Sequence, residues 1–216
     1  MAFLLNIKKV LQQQILNLLT PIYREFKRVR FRVFGRPVTQ GETSKANSRR
    51  QREGFFKYCQ GRGLDIGFGG DLLASNCTGY DFEHGDAQNI VKFSGESFDF
   101  VYSSHVLEHM EDPAAALSNW WGLVKKGGYL LLYIPHRDLY EKKIKLPSRW
   151  NLDHKHFFIV RGNEPPDTIG VHELIQDSLP GSEIIYIKEC SEGHTISDPN
   201  LHSDGEYSIE AVIRKI

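Results

Sequence analysis

The stretch RGLDIGFGGD, residues 62–71, places Gly67, Gly69 and Gly70 directly behind an acid, Asp65, at the end of a short apolar run. Leu64 and Ile66 read as a buried strand, and Asp65 interrupts them. A carboxylate in such a place needs a partner or a ligand, because burying an unpaired charge is costly. The glycines permit a tight turn and a close approach of the backbone to whatever that ligand is.

Beyond Gly67 the chain alternates strand and helix patterns. TGYD (78–81), FDFVYSS (98–104) and GYLLLYIP (128–135) are short β-rich runs. Between the last two, Asp112 suits an N-cap, Pro113 the first helical position, and Gly127 a stop after Lys125 and Lys126. Strand, helix and strand at this spacing predict parallel pairing. SEIIYIKEC (182–190) and YSIEAVIRKI (207–216) add two more strands. This is a doubly wound α/β pattern, whose ligands bind beyond the carboxyl ends of the strands, where residues 65–70 fall. A dinucleotide fingerprint would need glycine at position 72, which is Leu72, although Asp86 lies at a suitable distance for a ribose contact. A pyrophosphate beside Asp65 is also unfavourable, so a ligand with a positive end suits the turn better.

These residues resemble the class I S-adenosylmethionine-dependent methyltransferases. LDIGFGG is similar to the family's first motif, FDFVYSSHVLEHMEDP to the fourth-strand motif of its small-molecule branch, and VKKGGYLLLYIP to the turn into the fifth strand. The terminal strand pair matches the family's antiparallel hairpin, and the resemblance covers about residues 55 to 216. It implies a Rossmann-like, mostly parallel sheet with an antiparallel C-terminal strand pair, and S-adenosyl-L-methionine as cofactor. By the same resemblance Asp65, Gly67 and Gly69 would cradle the methionine part, Asp81 the ribose hydroxyls, and Asp86 and Ala87 the adenine, with Ser104 beside the cofactor. Two departures stand out. Asp71 replaces the family's third glycine, and four residues separate Asp81 from Asp86 where a helix and most of a strand are usual. The sheet is therefore expected to be trimmed after the second strand, with the N-terminal helices a candidate for the missing wall.

Methyl transfer is an in-line displacement that requires alignment of the acceptor and removal of its proton. His105 and His136 follow the fourth and fifth strands and are the candidate bases, since imidazole titrates near neutrality. The resemblance implies a structural or cofactor-facing role for His109, in LEH, which reads first as a hydrogen-bonding residue at a helix start. His154 and His156, in WNLDHKHFF (150–158), would need further ligands such as Asp153 and His136 to hold a metal, and no metal is expected. That segment reads as a loop closing over substrate, or as packing through Phe157 and Phe158. Trp150, Tyr140, Arg137 and Arg149 suit a hydroxyl-bearing small acceptor such as a sugar or glycan precursor, with an arginine for an anionic handle. Trp120 and Trp121 read as helix packing.

The 216 residues carry 27 basic and 27 acidic side chains. Residues 1–36 hold eight lysines and arginines against Glu25 alone. Apolar residues from Phe3 through Ile22 to Val29 recur every three or four positions, and Thr20-Pro21 divides them into two amphipathic helices. Their basic face suits anionic lipid or RNA; packing on their own domain or on a second copy, as a homodimer, is the commoner outcome. The expected organisation is a basic helical extension and linker over 1–48 and a methyltransferase domain over 49–216, with a short helix from about Arg49 to Gln60. RNA methylation or a non-catalytic cofactor-binding scaffold are the alternatives. Cys59, Cys77 and Cys190 lack the spacing of a zinc or redox motif. No apolar run reaches the roughly 20 residues of a spanning helix, so a cytoplasmic protein is expected.

Overall fold

A computed structural model describes residues 25, 26, 29–31, 33 and 41–216. The helices expected over residues 1–35 lie largely outside them, though the six described there are helical. Among the described residues no helix is long and apolar enough to cross a membrane.

A six-stranded sheet organises the chain: β1 (Gly63–Ile66), β2 (Cys77–Tyr80), β3 (Phe98–Ser104), β4 (Val124–Pro135), β7 (Ser182–Cys190) and β8 (Ser208–Lys215). The order is β2-β1-β3-β4-β8-β7. The first four strands run parallel, and β8 is antiparallel to both β4 and β7. The expected mixed sheet with its antiparallel C-terminal pair is therefore observed. It is also trimmed as expected: β2 is an edge, and residues 81–97 contain only turns and loops. Two short strands, β5 (Phe157–Ile159) and β6 (Thr168–Gly170), pair in parallel apart from the main sheet.

Helix α2 (Pro113–Gly122) covers one face, burying Leu117, Trp120 and Trp121 with Leu64, Val101 and Leu132. Asp112 caps it by accepting from Ala115 N, and Pro113 is its first residue. It ends at Gly122 rather than the expected Gly127. Val124 is captured by Phe98 at the start of β3, and the register shift before Tyr129 leaves Lys125 and Lys126 inside β4, with Lys125 Nζ 2.8 Å from Asp99.

The opposite face is closed by α1 (Glu42–Arg52), which begins inside the stretch expected as linker. Gly54, at φ +68, ends the helical path, so Phe55–Tyr58 form a 3-10 turn instead of extending the helix to Gln60. The linker reading failed because α1 is polar in sequence: its buried positions include Arg49 and Arg50. Arg50 lies beneath the rings of Phe55, Tyr102 and Tyr133 and donates from Nε to Glu210 at 2.7 Å. Arg49 donates to Glu206 and Glu210. The start of α1 is capped from a distance. Asp71 Oδ2 accepts from Gly41 N and Ser44 N, at 2.8 and 2.9 Å, where the helix dipole favours an anion. The residue that departs from the family's glycine pattern thus ties α1 to the glycine turn.

A candidate cofactor and acceptor site

Strand β1 delivers Asp65 opposite Gly79 of β2 and Tyr102 of β3, with no exposed surface. Its Oδ2 accepts from Leu73 N at 2.8 Å, which closes the turn, while Oδ1 is buried without a hydrogen-bond partner among the described residues. Burial pushes this carboxyl up to about 8, against the hydrogen bond from Leu73. Gly67, at φ +74, has no room for a side chain, since a Cβ would stand 2.0 Å from Val106 Cγ2. At Gly69, φ +61, a Cβ would approach nothing among the described residues closer than 3.8 Å, so the backbone conformation calls for glycine there. Gly69 N donates to Asp81 Oδ2 at 3.0 Å, and Phe82 N donates to Oδ1 at 2.7 Å. The acid at the end of β2 is thereby aimed by the turn it faces.

Beyond these strand ends lies a cavity of about 600 Å³, within the range of small-molecule sites. Gly67, Asp81, Asp86, Ala87 and His105, all singled out from the sequence, line it together. Asp86 is held in a turn by Gln88 N, and the carbonyl of Ala87 accepts from Trp120 Nε1 at 2.8 Å. Asp65, Gly69 and Ser104 are not in the lining; Asp65 and Ser104 are buried, at the ends of β1 and β3. His136 is placed elsewhere. Its Nδ1 accepts from Asp138 N to cap the turn Arg137–Tyr140 (α3), and its Nε2 is 3.5 Å from Glu189 on β7.

His105 takes φ +52, an uncommon value for a non-glycine residue and one often found at functional sites. Its Nε2 lies 2.9 Å from Ser208 Oγ, and burial, followed by the proximity of His154, holds the imidazole neutral, well below its usual range.

The sequence reading missed Glu25, Phe82, Gly85, Val106, Met110 and Asp153 in the lining; His109, read first as a helix-start residue, lines the cavity as well. Glu25 and the contact of Phe31 with Phe82, 6.1 Å between centroids, bring the N-terminal segment to the trimmed side of the site. His109 Nδ1 is 3.1 Å from Asp153 Oδ2, and its pKa is raised despite burial, chiefly by that bond. His154 and His156 do not act together. His154 is buried against Glu108 and Glu141, whereas His156 Nε2 is 3.4 Å from the carbonyl of Glu111. Trp150 donates to the Tyr140 carbonyl, Arg137 is paired with Asp138 and Glu164, and Arg149 with Asn200, so none of them lines the cavity.

A glycine turn after the first strand, a second acid fixed by that turn and a cavity across the parallel strand ends define an S-adenosylmethionine-dependent methyltransferase of class I type. Residues 22–132 match the methyltransferase domain family, and the chain belongs to it. Among solved structures it is similar to the N-methyltransferase NodS from Bradyrhizobium japonicum WM9 in complex with S-adenosyl-L-homocysteine, at 15% identity and a TM-score of 0.50 over 79% of this chain and 87% of that one. A protein solved for the conversion of a disulfide bond into a thioacetal group during echinomycin biosynthesis gives 16% identity and 0.51, over 79% and 81%. No curated protein matches the chain. The residues present fit S-adenosylmethionine: Gly67, Asp81, Asp86 and Ala87 line one cavity of small-molecule size, and behind the turn Oδ1 of Asp65 has no hydrogen-bond partner among the described residues.

Proposed function

We propose that this enzyme methylates a small polar acceptor that carries no phosphate, with a sugar or glycan-precursor hydroxyl the first class to test. The observation that carries the reading is that His105 shares one cavity with Gly67 and Asp81, which brings a proton acceptor to the mouth of the cofactor turn. S-adenosylmethionine, when bound, supplies an electrophilic methyl group. Asp65, Gly67, Gly69 and Asp81 hold and orient it, Asp86 and Ala87 border its adenine, Ser104 supports the end of β3, and His105 takes the acceptor's proton. His136 keeps a capping role in this reading. The domain starts ahead of Gly41, since α1 closes the sheet.

Glu25, Asp81, Asp86 and Asp153 line the cavity without any lysine or arginine among the described residues. This favours a neutral or cationic acceptor, so an amine is the second reading, and it speaks against RNA, whose phosphates those acids would repel. The test has two stages. The full chain is titrated with S-adenosylhomocysteine, and acceptors are then screened with labelled methyl donor at several salt concentrations. Transfer to a hydroxyl or amine supports the reading. Transfer to RNA with a steep salt dependence supports the other class, and a folded protein that binds no cofactor is a scaffold. Light scattering of the full chain tests for a homodimer through the N-terminal helices.

A further inference from the structure

Glu108, in the 3-10 turn Leu107–His109, has no exposed surface, and neither of its carboxylate oxygens has a hydrogen-bond partner among the described residues. Three imidazoles surround one of those oxygens. His154 Nε2 is 3.7 Å from Oε1, His109 Nε2 is 3.8 Å and His105 Nδ1 is 3.9 Å. These separations are too long for hydrogen bonds. They approach the spacing of ligands on one ion, since two ligands about 2.1 Å from a tetrahedral centre stand about 3.4 Å apart. One ligand atom each from Glu108, His109 and His154 lies within 4.8 Å of the others.

The far side of each ring is already fixed. His154 Nδ1 is 3.1 Å from Glu141 Oε1, and His109 Nδ1 is 3.1 Å from Asp153 Oδ2. Glu141 is in turn held by Ser148 Oγ and by Arg149 N. Carboxylates behind two imidazoles hold their Nδ1 sides, so that both Nε2 atoms, once deprotonated, are available to an ion beside Glu108, which is the outer arrangement of a histidine-ligated metal. A buried carboxylate with no hydrogen-bond partner among the described residues is poorly compensated, and a divalent cation beside it removes that cost.

We propose that Glu108, His109 and His154 bind one divalent transition metal of the zinc class. Two imidazoles and a carboxylate leave a fourth position open, as in catalytic rather than structural zinc sites. His109 lines the cavity, so the ion would lie at its edge.

The test uses the full chain, stripped with chelator and titrated with Zn²⁺ by calorimetry and with Co²⁺ by visible absorption. One Zn²⁺ per chain is expected. Affinity should fall by more than about 100-fold in Glu108→Gln and His154→Ala, and by about 10- to 100-fold in Glu141→Gln, which touches only a supporting residue. Zn²⁺ should raise the melting temperature of the wild type and not of Glu108→Gln. Absence of stoichiometric binding to the wild type overturns the proposal, as does equal affinity in folded variants, which would place the ion elsewhere. If the variants do not fold, the Co²⁺ spectrum of the wild type decides: intense bands of a four-coordinate nitrogen and oxygen site support the proposal, and the weak bands of a hydrated ion overturn it.

Discussion

Arg50 donates from Nε to Glu210 Oε2 at 2.7 Å in a place where neither side chain reaches solvent. Although burial pushes it up, the hydrogen bond from Arg49 and the charge of Arg50 hold the Glu210 carboxyl below its usual range. Two arginines from one polar helix thus anchor that helix to the last strand of the sheet. Removing one partner leaves an uncompensated buried charge. Glu210→Ala should therefore cost about 3 to 5 kcal/mol, read as a lowered urea midpoint. A loss within about 0.5 kcal/mol, the size of an ordinary surface substitution, would show that the network contributes little.

Asp71→Gly restores the family's glycine and should nevertheless destabilise the protein. It removes the acceptor for Gly41 N and Ser44 N at the start of α1, and a lost cap typically costs about 0.5 to 2 kcal/mol. Thermal unfolding of the variant beside Asp71→Asn, which keeps an acceptor, separates loss of the cap from loss of charge.

Asp81→Ala should weaken S-adenosylhomocysteine binding by about 10- to 100-fold, the value of one or more hydrogen bonds to a charged group. Gly69 N also loses its acceptor. Asp81→Asn, which still accepts from Gly69, should lose less. Calorimetry on both variants checks the order, and equal affinity in all three proteins would place the ribose elsewhere, with Asp86 the next residue to test.

Asp65 should make stability depend on pH. Its carboxyl titrates near 3.8 when unfolded and is pushed up to about 8 by burial in the fold. Between those values the native state holds a proton that the unfolded chain has released. The contribution is complete below pH 4 and is lost as pH rises toward 8. The stability of the wild type relative to Asp65→Asn should therefore fall across that window, as measured by urea midpoints at stepped pH. A pH-independent difference would mean that the carboxyl is ionised throughout. Asp65→Ala should in addition weaken cofactor binding about tenfold, because Leu73 N loses its acceptor and the turn its brace.

The sequence by itself determined the sheet and the order of its parts. Local rules govern those features: β-rich runs for FDFVYSS and SEIIYIKEC, a cap and proline at Asp112 and Pro113, and glycines at positions 67 and 69 that must turn with positive φ. Five of the nine residues given a cofactor or base role came together around one cavity because strand ends in a parallel sheet converge there. Tertiary structure alone decided the rest. Helix α1 was hidden because its buried face includes two arginines, Arg49 and Arg50, whose burial is favourable only with Glu206 and Glu210 opposite, some 160 positions along the chain. His105 and His136 look equivalent in sequence, yet one turns into the cavity and the other toward Glu189. His154 was read with its neighbour His156, whereas the fold sets it beside Glu108, 46 positions earlier. Spacing along a strand reports which face a side chain takes, while the identity of the group across from it is fixed only when distant segments pack.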